Sequence, residues 1–324
     1  MQTVLVTGGA GFIGSHLIEA LITLGAKRVV VLDNLSCGHR ENIPKSSKVR
    51  FVHGDIRNIS LVDRLAKKCD TIFHLAEYIP ETTKYGPGHV IKYSSERPLE
   101  DFEVNTKGTL IVLDAARKHK RKVIFTSSAA VYGNTGLRLN TEDSRALPIS
   151  PYGASKLCAE IYADLYSRTY DLPFIVARLS NVYGPRQKKY VMYDLLLRMI
   201  NNPRQLNVLG SGKGERDFIF VRDAVDALLL LATHPEAEGR VFNVGTGVVT
   251  PISKVVEALL RMLCIDPEVK FSGKSWPGDL RTIAVNIDRI AALGFRPKFS
   301  LDVGLEKFVV WFLDTQLNSH RATS

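Results

Sequence analysis

The chain has 324 residues, 45% of them hydrophobic, and a formal net charge of +10 at pH 7. That length suits one large α/β unit carrying a smaller lobe. No apolar run approaches the length of a membrane span, and a glycine motif at residue 8 starts too early to follow a cleaved signal peptide; a cytoplasmic location with no membrane partner is expected. Cys37, Cys69, Cys158 and Cys264 are widely separated with no Cys-x-x-Cys spacing, so neither a zinc site nor a disulfide framework is expected, and no metal is assigned. The basic cluster Arg117 to Lys122 ends a predicted helix, where cations favour the dipole. The positive charge therefore reads as a solvated face that attracts a phosphate-bearing substrate, with no nucleic-acid partner.

In chain order, Thr3 to Val6 reads as a buried strand, followed by Gly8-Gly9-Ala10-Gly11-Phe12-Ile13-Gly14 and a helix that Gly25 closes. A strand, a glycine turn and a helix are what a dinucleotide pyrophosphate requires. Gly8 permits the tight turn, Gly11 lets the backbone approach phosphate, and Gly14 lets the helix pack close to the strand. A second strand, Arg28 to Leu32, ends in Asp33, placed to accept ribose hydroxyls. That acid disfavours the extra phosphate of NADP, and Asn34-Leu35-Ser36 holds no arginine for it, so the expected cofactor is NAD. Further strands are predicted at Val49 to Asp55, Thr71 to Ala76, Lys122 to Ser128 and Phe174 to Leu179. Helices are predicted after the third strand to about Lys68, from about Pro98 to His119, and from near Ser150. This alternation implies a Rossmann-type α/β fold, a doubly wound parallel sheet covered on both faces. Phe218 to Phe220 and Val241 to Val244 are expected to return to that sheet. The NAD-binding domain is accordingly assigned to residues 1–178 and 217–246, and a smaller C-terminal substrate-binding lobe to 179–216 and 247–324. Ligands in such sheets sit beyond the carboxyl ends of the strands, so Gly8, Asp33, Ala76, Ser128 and Arg178 should gather at one edge.

Two features carry chemistry. Ser150 and Pro151 read as an N-cap and first helical residue, which puts Tyr152 and Lys156 one turn apart on one helix face. A tyrosine with a pKa near 10 is a poor base at neutral pH, and a nearby ammonium and an oxidised nicotinamide favour its phenolate. Ser128 ends the fifth predicted strand, where its hydroxyl can share a substrate proton with Tyr152.

With Asn105-x-x-Gly108-Thr109, Ser127-Ser128-x-x-Val131-Tyr132-Gly133, Pro151-Tyr152-x-x-Ser155-Lys156, Arg178-x-x-Asn181-x-x-Gly184-Pro185 and Arg216-Asp217-Phe218 in register from Gly8 to about Asp279, the chain resembles the extended short-chain dehydrogenases/reductases of the NAD-dependent epimerase/dehydratase family, most of all the UDP-galactose 4-epimerases. The resemblance implies an isomerase acting at C4 of a UDP-hexose with tightly bound NAD, working as a homodimer. Ser128, Tyr152 and Lys156 would be catalytic, with Lys156 on the nicotinamide ribose. Phe12, Ile13, Asn34, Ser36 and Asn105 would join Gly8, Gly11, Gly14 and Asp33 around NAD, Asp55 and Ile56 would flank adenine, and Leu75 and Ala76 would line the cofactor. Asn181, Arg216 and Asp279 would hold the nucleoside diphosphate, and Ile283 would border the C2 substituent of the sugar. A nucleotide-sugar 4,6-dehydratase, decarboxylase or 4-reductase is the alternative, but Ala129 and Ala130 stand where dehydratases carry acids. A dinucleotide-sensing binding protein with a dead site is opposed by the presence of Ser128, Tyr152 and Lys156.

The pattern departs from the family in three places. Trp276 stands where an arginine is common, leaving Arg281 to supply part of the grip. A long segment from Glu77 to Val104, with Tyr78, Tyr85, Tyr93 and Gly86-Pro87-Gly88, should lie over the nicotinamide and sugar. Glu77 itself follows Leu75-Ala76 where a small residue is usual. Asp33→Ala is expected to weaken NAD binding and narrow its advantage over NADP; direct titration of both cofactors checks this, and wild-type protein binding NADP at least as tightly would refute it.

Overall fold

A computed structural model describes residues 2–78, 82–83, 86–87, 90–136, 139–273 and 282–323. Seven strands, β1 (Thr3–Thr7), β2 (Arg28–Asp33), β3 (Val49–His53), β4 (Thr71–His74), β5 (Lys122–Ser128), β6 (Phe174–Leu179) and β7 (Arg240–Val244), form one sheet in the order β7-β6-β5-β4-β1-β2-β3. Every pairing within it is parallel. The eight longest helices are α1 (Phe12–Thr23), α2 (Ile59–Ala66), α3 (Thr109–His119), α4 (Pro151–Tyr170), α5 (Tyr190–Asn201), α6 (Val221–Thr233), α7 (Ile252–Leu263) and α8 (Leu301–Thr323).

The period of two along a strand sorts the apolar residues to opposite faces. Val4, Val6, Val29, Val31, Phe73 and Ile124 pack into one core with Leu17, Ile18 and Leu21 of α1 and Leu228 of α6. Leu5, Val30, Leu32, Ile72, Val123 and Phe125 pack into a second core with α2, α3 and α4 through Val62, Val112 and Ala159. Both faces are covered, and this is why the strands read as continuous apolar runs without polar alternation. Each such side chain contributes about 1.5–3 kcal/mol on burial. A third core joins α5, α7 and α8 through Leu195, Leu196, Val255, Leu259, Phe308 and Phe312.

The predicted helix over 98–119 is helical throughout, but its middle is widened: Pro98–Asp101 leads into a π-helical stretch, Phe102–Gly108, before α3. Helix α4 begins as expected, with the Ser150 side chain accepting from the Gly153 amide at 3.2 Å and Pro151 in the first turn. Two strands are shorter than expected: β3 stops at His53 and β4 at His74. One expectation fails outright. Val241 to Val244 does join the sheet, within β7, but Phe218–Phe220 pairs with Asn181–Tyr183 in a separate two-stranded ribbon. Phe218 and Phe220 pack on Tyr183 in the third core and Ile219 in the first, so the apolar run reflects that burial.

Beneath the carboxyl edge of the sheet lies a closed polar network. Arg178 of β6 pairs with Glu160 of α4 (Nη2 to Oε2, 2.6 Å) and donates to the Tyr132 hydroxyl at 2.9 Å. Tyr132 donates in turn to Asn243 Oδ1 at 2.7 Å, and Ser127 donates to Glu160 Oε1 at 2.5 Å. The Arg178 backbone therefore reaches the functional edge, while its side chain is committed below it. Glu160→Ala would leave the buried guanidinium without its counter-ion and is expected to cost about 3–5 kcal/mol, read from denaturant midpoints.

Candidate functional site

A cavity of about 520 Å³ opens along the carboxyl ends of the strands. Its floor is the turn from β1 into α1. Gly8 sits at φ +71, and a Cβ there would lie 2.7 Å from the Ala76 amide nitrogen. A Cβ on Gly14 would strike the carbonyl of Gly8, so both positions exclude side chains for reasons of space. Helix α1 has Gly11 as its N-cap, with no side-chain cap bond and no acid in its first turn. The first-turn amides, at Phe12, Ile13 and Gly14, are thus left to bind an anion, and Gly8, Gly11, Phe12, Ile13 and Gly14 all line the cavity.

At the end of β2, Asp33 accepts from the amides of Ala10 (2.9 Å) and Leu35 (2.8 Å), and burial raises its pKa. Asn34 donates to Asp55 Oδ2 at 2.9 Å, and Ser36 donates to Asn34 Oδ1 at 3.0 Å. Asp55 is clasped by Arg57 at 2.7 Å, whose hydrogen bonds push its pKa down to about 2. Asp33, Asn34, Ser36, Asp55 and Ile56 line one end of the cavity, and Leu75 and Ala76 its middle. A carboxylate on the cavity wall and a helix N-terminus free of acids fit a dinucleotide such as NAD. Asn105 stands behind this wall, buried, donating to Asp101 Oδ1 at 2.8 Å and accepting from the Tyr78 amide at 3.0 Å.

Ser128, Tyr152 and Lys156 come together at the other end. Ser128 Oγ accepts from the Ala130 amide at 3.2 Å. The buried Lys156 donates from Nζ to the Thr126 carbonyl at 3.0 Å and pairs with Glu77 Oε2 at 2.9 Å. The Tyr152 hydroxyl donates to the same Glu77 oxygen at 3.0 Å. Burial, then the charge of Glu77, hold the Tyr152 pKa well above its ordinary value, and a hydrogen bond with Ser128 pulls the other way. Within the long segment after Glu77, Ile91 packs on Tyr152, and Tyr78 and Tyr93 meet through their hydroxyls at 3.0 Å. Tyr85 and Gly88 lie outside the described residues.

Asn181 and Arg216 also line the cavity. The Asn181 Nδ2 is buried with no hydrogen-bond partner among the described residues. Arg216 Nη1 donates to the Glu215 carbonyl at 2.9 Å, while Asp217 accepts from Thr246 and Gly247. The backbone of Ile283 pairs with Arg216. The Ile283 side chain, Trp276, Asp279 and Arg281 lie outside the described residues.

Sequence reasoning passed over two wall segments, Cys37 to His39 and Arg186 to Tyr190. Gly38 was a usable signal: a Cβ there would lie 2.8 Å from Ala10. The adjacent lysines Lys188 and Lys189 were another.

Behind Tyr152, His74 joins β4 to β1 and α3, its Nδ1 at 2.7 Å from Thr7 Oγ1 and its Nε2 at 2.9 Å from Thr109 Oγ1. Thr109 spends its proton on the Asn105 carbonyl at 2.7 Å, so the imidazole carries its proton on Nε2. Burial, with Lys156 adding to it, lowers the His74 pKa to about 3. Between its unfolded value near 6.5 and that point, the unfolded chain binds a proton that the native one refuses. This group therefore costs stability as pH falls, by about 1.4 kcal/mol per pH unit. His74→Asn is expected to lower stability near neutrality and to close the gap to wild type between about pH 6 and pH 4; denaturant midpoints across that range measure it.

Residues 4–245 match the model of the NAD dependent epimerase/dehydratase family. The chain is 37% identical over 318 residues to the UDP-glucose 4-epimerase of Mycolicibacterium smegmatis, covering 95% of this chain and 97% of that protein. The structure of Thermotoga maritima UDP-glucose 4-epimerase with UDP-glucose superposes with a TM-score of 0.87 at 32% identity, over 97% of this chain and 100% of that one. The dTDP-glucose 4,6-dehydratase DesIV of Streptomyces venezuelae, with NAD bound, superposes with a TM-score of 0.89 at 29% identity, over 97% and 98% of the two chains. With its parallel sheet, its glycine turn and Asp33 at one crevice, this chain belongs to the NAD dependent epimerase/dehydratase family, enzymes of nucleotide-sugar chemistry that work with NAD.

Proposed function

We propose that this protein interconverts the C4 epimers of a UDP-hexose, UDP-glucose and UDP-galactose foremost and their N-acetyl forms more slowly, through a 4-keto sugar and with NAD retained between turnovers. The observation that carries this reading is the convergence of Ser128 and Tyr152 on the cavity wall with Lys156 buried beside them and joined to Tyr152 through Glu77, and with Ala129 and Ala130 directly after the serine. Bound NAD supplies the hydride acceptor. Ser128 takes the Ala130 amide on one lone pair and hydrogen-bonds Tyr152, and the sugar hydroxyl would enter between them in exchange for that bond. Tyr152 exchanges the C4 hydroxyl proton. Lys156 has three donors, of which Thr126 and Glu77 take two, so one remains for a ribose hydroxyl. Asn181, Arg216 and Asp279 hold the nucleoside diphosphate, and Ile283 borders the C2 substituent.

The likeness to DesIV favours a second reading, a 4,6-dehydratase. Elimination needs an acid–base pair beyond the tyrosine, and Ala129 and Ala130 have no proton to give. A net 4-reductase would need free NADH. We further propose that residues 1–178 and 217–246 bind NAD and that 179–216 and 247–324 form the nucleotide-sugar lobe. A cytoplasmic homodimer fits the chain; the exposed Ile161 and Leu165 on α4 support a helix-mediated interface.

A panel of UDP-sugars incubated without added cofactor should yield C4 epimers; a 4-keto-6-deoxy product would select the second reading. Tyr152→Phe should retain NAD and fold while losing at least about a hundredfold in turnover. Near-normal turnover in that variant would rule the mechanism out.

A further inference from the structure

Glu77 departs from the small residue usual after Leu75-Ala76, and its side chain enters the site. It leaves the end of β4, 26% exposed to the cavity, and its Oε2 lies 2.9 Å from Lys156 Nζ and 3.0 Å from the Tyr152 hydroxyl. One oxygen atom thus touches both groups on which the proposed chemistry depends. The hydroxyl donates to it, so Tyr152 holds its proton and Glu77 holds the negative charge that balances Lys156.

We propose that Glu77 is the proton acceptor behind Tyr152. As the sugar hydroxyl gives its proton to the Tyr152 oxygen, the proton already on Tyr152 passes to Glu77 Oε2; both transfers reverse when the sugar is reduced again. The substrate O–H and the tyrosine O–H break, and a new tyrosine O–H and a carboxyl O–H form. The electron pair that leaves with the C4 hydrogen is taken up by the NAD of the reading above, on which this inference rests. Glu77 acts through Tyr152 and is a positioning residue.

The alternative agent is the Tyr152 phenolate itself. A phenol of ordinary pKa is about one part in a thousand ionised at pH 7. Here burial against Ile91 and Ala130 and the charge of Glu77 push ionisation further out of reach. The carboxylate needs no such ionisation, because the pair carries one negative charge before the transfer and the proton need not escape to solvent. The other polar and charged groups facing the pair are Lys156 on α4, Ser128 at the end of β5, Tyr190 at the start of α5, Asp101 ahead of the π-helical stretch, and the neutral His74 on β4. Asp101 is occupied by Ser155 and Asn105, so Glu77 is the carboxylate in contact with Tyr152 among the described residues.

The test compares wild type, Glu77→Gln and Glu77→Asp as NAD-loaded enzymes, with turnover on UDP-galactose followed across pH. Glu77→Gln keeps size and hydrogen bonding but accepts no proton. Its turnover near pH 7 should fall by about ten- to a hundredfold and recover as pH rises and Tyr152 ionises. Glu77→Asp should keep the shape of the wild-type profile. A merely structural role would lower turnover equally at every pH. In substrate-free protein, the Tyr152 phenolate is titrated by ultraviolet difference absorbance, with the matching Tyr152→Phe protein subtracted in each background. Tyr152 should ionise at lower pH in Glu77→Gln than in wild type. Glu77→Gln turning over as fast as wild type at pH 7, or faster, would overturn the proposal, as would an unmoved Tyr152 titration. If wild type converts no UDP-sugar, the functional reading fails by itself, and the titration still decides whether Glu77 governs Tyr152.

Discussion

The contact of the first βα turn with the end of β4 governs the rest of the site. Gly8 turns at φ +71 against Ala76, with no room for a Cβ between them. β1 and β4 are sheet neighbours, yet the chain leaves them in opposite directions, β1 toward β2 and β3, β4 toward β5, β6 and β7. A crevice necessarily opens where those connections part. Asp33 closes one side of it through the Ala10 amide, and His74 ties the other through Thr7 and Thr109.

Two ion pairs near this crevice illustrate different uses of charge. Glu160 accepts from both Arg178 and Ser127, and Arg178 also reaches Tyr132, so the network is saturated and closed to ligand. Such a pair fixes geometry and brings little net stability. In the other pair Lys156 is buried, while Glu77 is 26% exposed and lines the cavity. The first pair holds α4 against β6; the second leaves the chemistry of Tyr152, on that same helix, free to respond.

Legibility in the sequence followed burial. Lys122–Ser128 and Phe174–Leu179 were readable because strands covered on both faces carry consecutive apolar residues, here Val123-Ile124-Phe125 and Phe174-Ile175-Val176-Ala177. Ser150 and Pro151 marked the start of α4 because capping is a local interaction. Phe218–Phe220 carried an equally apolar run and was misplaced, since apolarity reports that a segment is buried and not which strand lies beside it. The widening at Phe102–Gly108 gave no periodic signal either; it involves Asn105 reaching Asp101 and the Tyr78 amide, contacts that exist only after folding.

By itself the sequence determined the strand, glycine turn and helix around Gly8, the acid at the end of β2, and the pairing of Tyr152 with Lys156 one helical turn apart. Each depends on steric limits or periodicities that act within a few residues. Only the tertiary structure decided that Arg178 is spent below the sheet, that Asn181 presents an unpartnered donor, that Arg186 to Tyr190 closes the cavity, and that Glu77 meets Tyr152 and Lys156. Glu77 and Tyr152 are separated by 75 residues in the chain, and they meet because β4 ends and α4 begins at the same edge of a parallel sheet. Their shared hydrogen bond follows from that topology, which no local pattern of residues encodes.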